Sequence, residues 1–383
     1  MLQLTPARSR IRRAAGVAAG TLMVAIVAAG CGSSSSSSGG SSSGGSTSGA
    51  NVTAAQQVVT QAMQRPSSIT VTQPLGKSVP TGKRVIFISC GLSVCQEQGQ
   101  IVAKAASTLG WTASTIATDG TPTSVQSAYQ TAMRQGADAI VTTAALRAEI
   151  AAQIPQLNAK NIVVSDASST DPVAPPFIYN TSTASQNTRI EKMLAAEVVA
   201  DSKGKANTLY VDIPAFTILK PLSGAYEADY KQLCPSCGFA SIDVPITQLA
   251  NAPNLIVSYL RSHPSINYVN LSVANELDTG LPAALAAAGL SKVKIVGQGG
   301  GPTDFQYLAN GQELALVPYD YYSVDYQMVD ALVRHFVGVP VQQTAPPLWL
   351  VTKANLPSTH TNVFPDVSDY ESQFMKLWGK TTA

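Results

Sequence analysis

Charged residues are scarce in this chain of 383 residues, in which Lys, Arg, Asp and Glu together make up 13%. Four of the 25 basic residues are arginines within the first thirteen positions, so the rest of the chain has 21 basic and 23 acidic residues. No dense run of Lys or Arg remains. The sequence therefore excludes nucleic-acid binding, which depends on neutralising phosphate charge.

Histidine is equally scarce, which limits catalytic and metal-binding chemistry. His263, His335 and His360 are scattered and lack the paired spacing of zinc ligands. The chain has no recognisable Ser-His-Asp arrangement and no motif of paired catalytic carboxylates. The glycine-rich stretch at residues 297–301 lacks the G-x-G-x-x-G spacing of a nucleotide-binding loop. We predict that the protein is not an enzyme and binds no cofactor and no metal ion.

The five cysteines divide into one near the start, Cys31, and two close pairs. The pairs are Cys90 with Cys95 and Cys234 with Cys237, and both favour structural disulfides in a protein outside the cytoplasm. The second pair has the C-x-x-C spacing of redox sites, but it follows a helical pattern and does not open one after a strand. A redox role and free or metal-bound thiols stay open as alternatives.

The first 31 residues have the pattern of a bacterial export signal. A start that carries four arginines and no acidic residue precedes an apolar run from Ala14 to Ala29, which is short for a membrane span. Residues 28–31, Ala-Ala-Gly-Cys, resemble a lipobox, which implies that Cys31 is the lipidation site. Ordinary secretory cleavage with Cys31 incidental is the alternative, and Arg12-Arg13 leaves a twin-arginine export route open.

Residues 32–50 are almost entirely Ser and Gly, and they bury too little apolar surface to fold. A flexible coil of about 18 such residues reaches roughly 20–25 Å. Residues 51–82 then form a helical lead-in and a connector punctuated by proline. We predict a folded, extracytoplasmic domain that a lipid anchor and this spacer hold at the outer face of the cell membrane.

The remaining chain alternates short apolar strands with amphipathic helices. One series of strands runs from Lys83–Cys90 to Asn161–Ala167 and a second from Ala206–Asp212 to Lys292–Gln298. Helices are predicted at Arg147–Asn158, Glu276–Ala288 and a C-terminal stretch, and a further strand at Pro347–Lys353. This alternation is typical of α/β proteins with parallel sheets covered on both faces, and two series indicate two similar lobes.

The ordered segments resemble the type I periplasmic substrate-binding proteins, the ribose- and galactose-binding class of solute receptors for ABC importers. The resemblance spans about Lys83 to Lys353, and its most specific part is HPSINYVNLSVANELDTGLPAALAAAG followed by KVKIVGQGG. It implies two doubly wound lobes, a monomer and an ABC transporter permease as partner. The implied lobes are residues 83–180 with 320–347, and 181–319 with 348–383. Three hinge crossings are implied near Tyr179–Ser182, Pro318–Asp320 and Pro346–Val351.

In such sheets ligands bind outside the carboxyl ends of the strands, so the loops that follow the strands supply the candidate site residues. These are Gly91, Ser93, Gln96, Thr143, Asp166, Ser168, Phe216, Lys220, Asn275, Glu276, Gln298 and Tyr319. Alternatives stay open for some of them. Asp166 is also suited to capping its loop, Asn275 and Glu276 to starting a helix, and Phe216 to local packing.

Several positions depart from the sugar-gripping pattern of the family. Ala167 stands where an Arg usually follows Asp166, Gly299 stands where an Asp is usual, and Tyr319 replaces a hinge Gln. Buried sugars need nearly every hydroxyl paired, so the loss of such groups favours a less polar ligand, with aromatic compounds among the candidates. Ordinary sugar binding by other residues stays open. The predicted function is capture of a small molecule and its delivery to an ABC permease; the alternative is a sensor that presents its closed form to a membrane signalling receptor.

Overall fold

A first parallel sheet follows the N-terminal helix α1, Val52–Ala62, in the computed structural model, which describes residues 50–91, 93–359 and 363–380. The predicted signal segment and Cys31 lie outside the described residues. The strand order is β2-β1-β3-β4-β5 and all pairings are parallel. The strands are β1 Arg84–Ile88, β2 Thr112–Ile116, β3 Ala139–Thr143, β4 Val163–Ala167 and β5 Phe177–Thr181.

Helices cover both faces of this sheet. Val85 and Phe87 of β1 join one hydrophobic core, whereas Ile86 and Ile88 join another, because successive side chains of a strand point to opposite faces. This double burial explains why β1 is apolar from Val85 to Ile88 and does not alternate with polar residues there. The helices that follow its strands are α2 Ser93–Thr108, α3 Pro122–Arg134 and α4 Ile154–Ala159.

The second sheet has the strand order β11-β10-β9-β8-β6-β7, and only the β10–β11 pair is antiparallel. Its strands are β6 Asn207–Asp212, β7 Gly238–Asp243, β8 Tyr268–Leu271, β9 Lys294–Gln298, β10 Ala315–Val317 and β11 Val351–Thr352. Its helices are α5 Ala184–Ser202, α6 Lys220–Leu233, α7 Ala252–Ser262, α8 Ala274–Leu277, α9 Leu281–Ala287 and α10 Pro302–Asn310, with a 3₁₀ turn at Ile246–Asn251. Two α/β lobes with parallel sheets confirm the predicted fold class.

The chain passes between the lobes at the three predicted places: after β5, between β10 and α11 (Tyr321–Val337), and before β11. Two further passages were not predicted. Helix α1 packs on α5 of the second lobe, and the connector that follows joins the first core through Ile69 and Val71. Near the end, Phe364 belongs to the second core and Val367 to the first.

The C-terminal helix α12, Tyr370–Leu377, corrects the predicted assignment of residues 348–383 to the second lobe. Phe374 and Trp378 are buried in the first core, where the Trp378 ring stacks on Tyr326 of α11 at 5.8 Å between centroids. These contacts join segments about fifty residues apart. Local sequence patterns therefore do not reveal them.

Three predicted elements are shorter in the structure. The helix expected at 147–158 is confined to α4, because turns occupy the preceding residues and Pro155 lies in the first turn. The helix expected at 276–288 is split into α8 and α9 at Gly280, whose φ of 80° is left-handed. The strand expected at 347–353 pairs only over β11. No helix of the described chain has the length and hydropathy to cross a bilayer.

Candidate ligand-binding site

A cavity of about 110 Å³ lies where the carboxyl ends of strands from both sheets converge, and a second of about 510 Å³ shares part of its wall. Parallel strands end at the same edge of a sheet, so the loops after β3, β4, β6, β8 and β9 gather there. The smaller cavity is lined by Cys90, Cys95, Gln98, Thr143, Ala144, Ser168, Asn187, Phe216, Ile218, Leu219, Ser272, Val273, Asn275, Glu276, Gln298, Gly299, Tyr319 and Tyr321.

Most of the candidate residues meet at this point. Seven of them line the smaller cavity: Thr143, Ser168, Phe216, Asn275, Glu276, Gln298 and Tyr319. Gly91 lines the adjoining cavity. Thr143 and Gln298 are the last residues of β3 and β9, and Asn275 and Glu276 lie in α8 directly after β8. The rule that loops after parallel strands form the site thus brings residues from both lobes together.

Three candidates do not line either cavity. Asp166 is buried in β4, and its Oδ1 accepts a hydrogen bond from the amide of Ala167 at 2.9 Å, so it caps its own loop. Burial raises the pKa of Asp166 well above its ordinary value. Lys220 and Gln96 are exposed. The remaining candidate is Ser93, whose side chain lies outside the described part of the structure.

Helix α2 shows why Gln98, and not Gln96, lines the cavity. Residues three apart share one face of a helix, and Cys95 and Gln98 both lie on the face toward the cavity. Gln96 is rotated by about 100° from Cys95 and points to solvent. The buried Nε2 of Gln98 donates to Oδ1 of Asp325 in α11 at 3.0 Å, which fixes the direction of its amide. The helical spacing from Cys95 was the signal that could have identified Gln98.

A disulfide forms part of the cavity wall. Cys90 and Cys95 are bonded, with Cα atoms 5.7 Å apart, and both residues line the cavity. The second disulfide, between Cys234 and Cys237, is buried in the second core. The first disulfide joins the loop after β1 to the start of α2. It therefore holds the element that carries Gln98.

Polar side chains in the second lobe present unused hydrogen-bonding capacity to the cavity. Asn275 Oδ1 and Gln298 Oε1 are buried, and neither has a hydrogen-bond partner among the described residues. The Nδ2 group of Asn275 donates to Glu276 Oε1 at 3.2 Å, which directs the Asn275 amide. Buried acceptors without donors are costly, so a ligand with O–H or N–H groups at these positions would stabilise the site.

The backbone beside these groups requires glycine. Gly299 has a φ of 86°, and a Cβ built there would lie 3.1 Å from Asn275 Oδ1. A side chain at this position, such as the Asp of the sugar-gripping pattern, would therefore be strained and would crowd Asn275. The departure at Gly299 leaves room for Asn275 to approach the cavity.

Apolar groups and a single carboxyl group complete the wall. Phe216, Tyr319 and Tyr321 supply aromatic rings, and Ile218 and Leu219 supply aliphatic surface. Among the lining residues that the structure describes there is no Lys, Arg or His, and Glu276 is the only carboxylic acid. Burial raises the pKa of Glu276, with the nearby Asp304 adding to the effect. The wall suits a neutral molecule that carries hydroxyl groups and an apolar part, and one carboxyl group does not make a metal site.

Residues 85–339 match the family of the periplasmic binding protein domain. An ABC sugar transporter subunit from Rhodobacter sphaeroides 2.4.1 has 21% identity and a TM-score of 0.62, over 72% of this chain and 99% of its own. A solute-binding protein from Agrobacterium vitis with bound allitol has 19% identity and a TM-score of 0.63, over 72% and 97%. The 5-methylthioribose transporter solute-binding protein from Thermotoga lettingae TMO has 19% identity and a TM-score of 0.65, over 81% and 100%. These similarities show a shared fold, and no curated protein matches the sequence.

Proposed function

The chain belongs to the periplasmic binding protein domain family, and from this premise we propose that it captures a neutral small molecule bearing hydroxyl groups and delivers it to an ABC transporter permease. Proteins of this family are extracytoplasmic solute-binding proteins and not enzymes. The finer proposal is that the mature protein is a monomer anchored at the outer face of the membrane through Cys31. In this proposal residues 32–50 serve as its tether.

The proposed ligand class is based on one observation: buried hydrogen-bond acceptors without donors lie in the same cavity wall as aromatic side chains. Hydroxyl groups of the ligand would donate to Asn275 Oδ1 and Gln298 Oε1, while its apolar part would contact Phe216 and Tyr321. The structural neighbours from Agrobacterium vitis and Thermotoga lettingae bind allitol and 5-methylthioribose. A polyol or a sugar with an apolar substituent, as in the second of these ligands, fits the chemistry of this cavity best.

The mechanism in this proposal is closure of two lobes around the ligand. The lining residues come from both lobes, so a ligand makes its full set of contacts only when the lobes face each other closely. The ligand then shifts the population toward the closed form by its higher affinity for that form. The permease would recognise the closed form and receive the ligand from it.

Calorimetric titration of the purified mature protein tests the ligand proposal. The panel comprises pentoses, hexoses, polyols, 5-methylthioribose and aromatic acids. For the tightest ligand, Asn275→Ala and Gln298→Ala should each raise Kd by about 10- to 100-fold, because a buried hydrogen bond to the ligand is lost. Lys220→Ala and Gln96→Ala are matched controls on exposed positions and should change Kd less than about twofold. Equal effects of all four variants would contradict the assignment, as would the absence of any ligand among the sugars and polyols.

The anchor is tested separately in cells. Cys31→Ser should release the protein from the membrane fraction into the medium or periplasm, because the lipid can no longer be attached. Mass spectrometry of the wild-type N-terminus should show an acylated Cys31. A wild-type protein that is recovered without acyl chains would overturn the anchor and leave the ligand proposal standing.

A further inference from the structure

Three carboxylic acids meet inside the second lobe, outside the ligand cavity. Asp278 lies between α8 and α9, Asp304 lies in the first turn of α10, and Glu313 precedes β10. One side-chain oxygen from each lies within 4.8 Å of the other two. The exposed fractions of the residues are 1%, 1% and 3%. Buried acids this close together require an explanation, because burial of a charged group without a partner is costly.

The carboxyl oxygens of this group have almost no donors. Asp304 Oδ2 accepts a hydrogen bond from the amide of Gly301 at the start of α10. The other Asp304 oxygen and both oxygens of Asp278 and Glu313 are buried and accept no hydrogen bond from any described N–H or hydroxyl group, so Asp278 has only the carboxyl groups of Asp304 and Glu313 beside it. None of the ion pairs within the described chain involves these three acids. The group therefore lacks an internal source of positive charge.

The spacing of the oxygens suits a coordinated cation. Ca²⁺ binds six to eight oxygen ligands at about 2.3–2.6 Å, so oxygens on opposite sides of the ion lie roughly 5 Å apart. Oxygens within 4.8 Å of one another fit inside such a shell. Five free carboxyl oxygens would supply most of the ligands, and water or backbone carbonyls would supply the rest. A hard cation prefers this all-oxygen set, which contains no His or Cys.

A surface depression gives an ion access to the group. Asp278 and Asp304 line a depression that is also bordered by Thr279, Gly300 and Tyr321. Asn275 and Tyr321 border both this depression and the ligand cavity, so the two sites are neighbours, but none of the three acids lines the ligand cavity. The acid group joins the loop after α8, the start of α10 and the segment before β10. A cation at this point would tie together the three segments that support α8 and the end of β9.

We propose that Asp278, Asp304 and Glu313 form a buried binding site for a divalent cation of the calcium class, separate from the ligand cavity and independent of the ligand proposed above. The bound cation would neutralise the carboxylate charge that no Lys, Arg or His of the described chain pairs with. Its consequence is that the cation stabilises the second lobe.

Thermal unfolding of the full mature protein, first stripped with EDTA, tests this site with the metal alone. Addition of CaCl₂ at about 100 times Kd should raise Tm by about 5 °C, since the ion binds only the folded state. Asp278→Asn and Glu313→Gln should each abolish most of this rise. Asp304 is left unchanged because it also caps α10. The exposed Asp243→Asn in the same lobe is the control and should keep the full rise.

A second measurement keeps the test decisive if a variant unfolds. Atomic emission analysis after gel filtration in micromolar CaCl₂ should find about one bound Ca²⁺ per wild-type chain, whereas MgCl₂ should compete poorly. No retained metal and no change in Tm would overturn the proposal. A second contradicting outcome combines two results: the Tm of the wild type does not respond to Ca²⁺, and the Asp278→Asn variant is more stable than the stripped wild type. Together they would mean that the three acids share protons and bind no cation.

Discussion

The Oγ atom of Ser168 lies 2.7 Å from the Oη atom of Tyr319, so a hydroxyl from the first lobe bonds to a phenol in the crossover segment. Ser168 follows β4 with a φ of 57°, and Tyr319 lies between β10 and α11. Both residues line the ligand cavity. The bond therefore connects the hinge to a loop that is a candidate ligand contact.

Removal of either hydroxyl should reveal this connection. Ser168→Ala and Tyr319→Phe should each lower the free energy of unfolding by about 1 kcal/mol, and the double variant should lose less than the sum of the two. Urea denaturation of the four proteins measures the coupling between the two sites. Fully additive losses would show that the two hydroxyls do not stabilise each other.

Glu191 gives the protein a pH-dependent stability. This residue of α5 is buried, and its oxygens accept hydrogen bonds from Tyr210 at 2.9 Å and Asn270 at 3.1 Å. Burial, reinforced by the charges of Asp212 and Asp229, raises the pKa of Glu191 to about 8. Between the ordinary pKa and this value the folded state holds a proton that the unfolded state has released. The free energy of unfolding should therefore fall as pH rises from about 5 to 8.

The Glu191→Gln variant should remove this contribution. The amide keeps an oxygen for Tyr210 and never ionises, so the loss of stability between pH 5 and pH 8 should shrink by up to a few kcal/mol. Urea unfolding at one-unit intervals of pH measures the slope. Glu227→Gln, on the exposed face of α6, is the control and should keep the wild-type slope. An unchanged slope in the Glu191 variant would contradict the prediction. Burial also raises the pKa of Glu197, to about 7, but this residue contributes the same pH dependence to the wild type and to the Glu191→Gln variant.

Local patterns predicted the strands and helices of both lobes, and they failed where distant segments decide the structure. The apolar run of β1 is visible in the sequence because both faces are buried. The position of α12 is not visible, because it depends on contacts such as the hydrogen bond from Trp378 Nε1 to Asp330 Oδ1 at 2.9 Å. The acid group of Asp278, Asp304 and Glu313 was missed for the same reason, since its members are 26 and 9 residues apart in the chain.

The ligand cavity was predicted to the level of loops but not of every side chain. The rule that ligands bind outside the carboxyl ends of parallel strands placed Asn275 and Gln298 beside the cavity, because it depends only on where a strand ends. It could not distinguish Gln98 from Gln96, since the start of α2 sets which residues face inward. It left open whether Asp166 contacts the ligand or caps its own loop, and in the structure the Asp166 carboxyl group accepts from the amide of Ala167. Side-chain direction is set by the loop conformation, which periodicity does not encode.

A buried ion pair within α11 positions Asp330, which also accepts a hydrogen bond from Trp378 at the end of α12. Arg334 donates from Nε to Asp330 Oδ2 at 2.6 Å, and both side chains are at most 2% exposed. Arg334→Met should lower the free energy of unfolding by about 3–5 kcal/mol, because Asp330 keeps a buried charge without its partner. The exposed Lys104–Glu371 pair is the comparison, and Lys104→Ala should cost less than about 1 kcal/mol. Denaturation of both variants in guanidinium chloride measures the difference, and similar costs would contradict this explanation.

The two disulfides should have different effects on ligand binding. Each closes a small loop, so the double variants Cys90→Ser/Cys95→Ser and Cys234→Ser/Cys237→Ser should each lose about 2 kcal/mol of stability or less. Only the first disulfide lines the cavity and holds the start of α2, which carries Gln98. Its removal should weaken binding of the tightest sugar or polyol severalfold by loosening that wall, whereas removal of the second should leave Kd unchanged. Calorimetric titration of both variants compares them, and reduction of the wild type with dithiothreitol should reproduce the first result. A parallel loss of affinity in both variants would mean that general destabilisation, and not the cavity wall, is responsible.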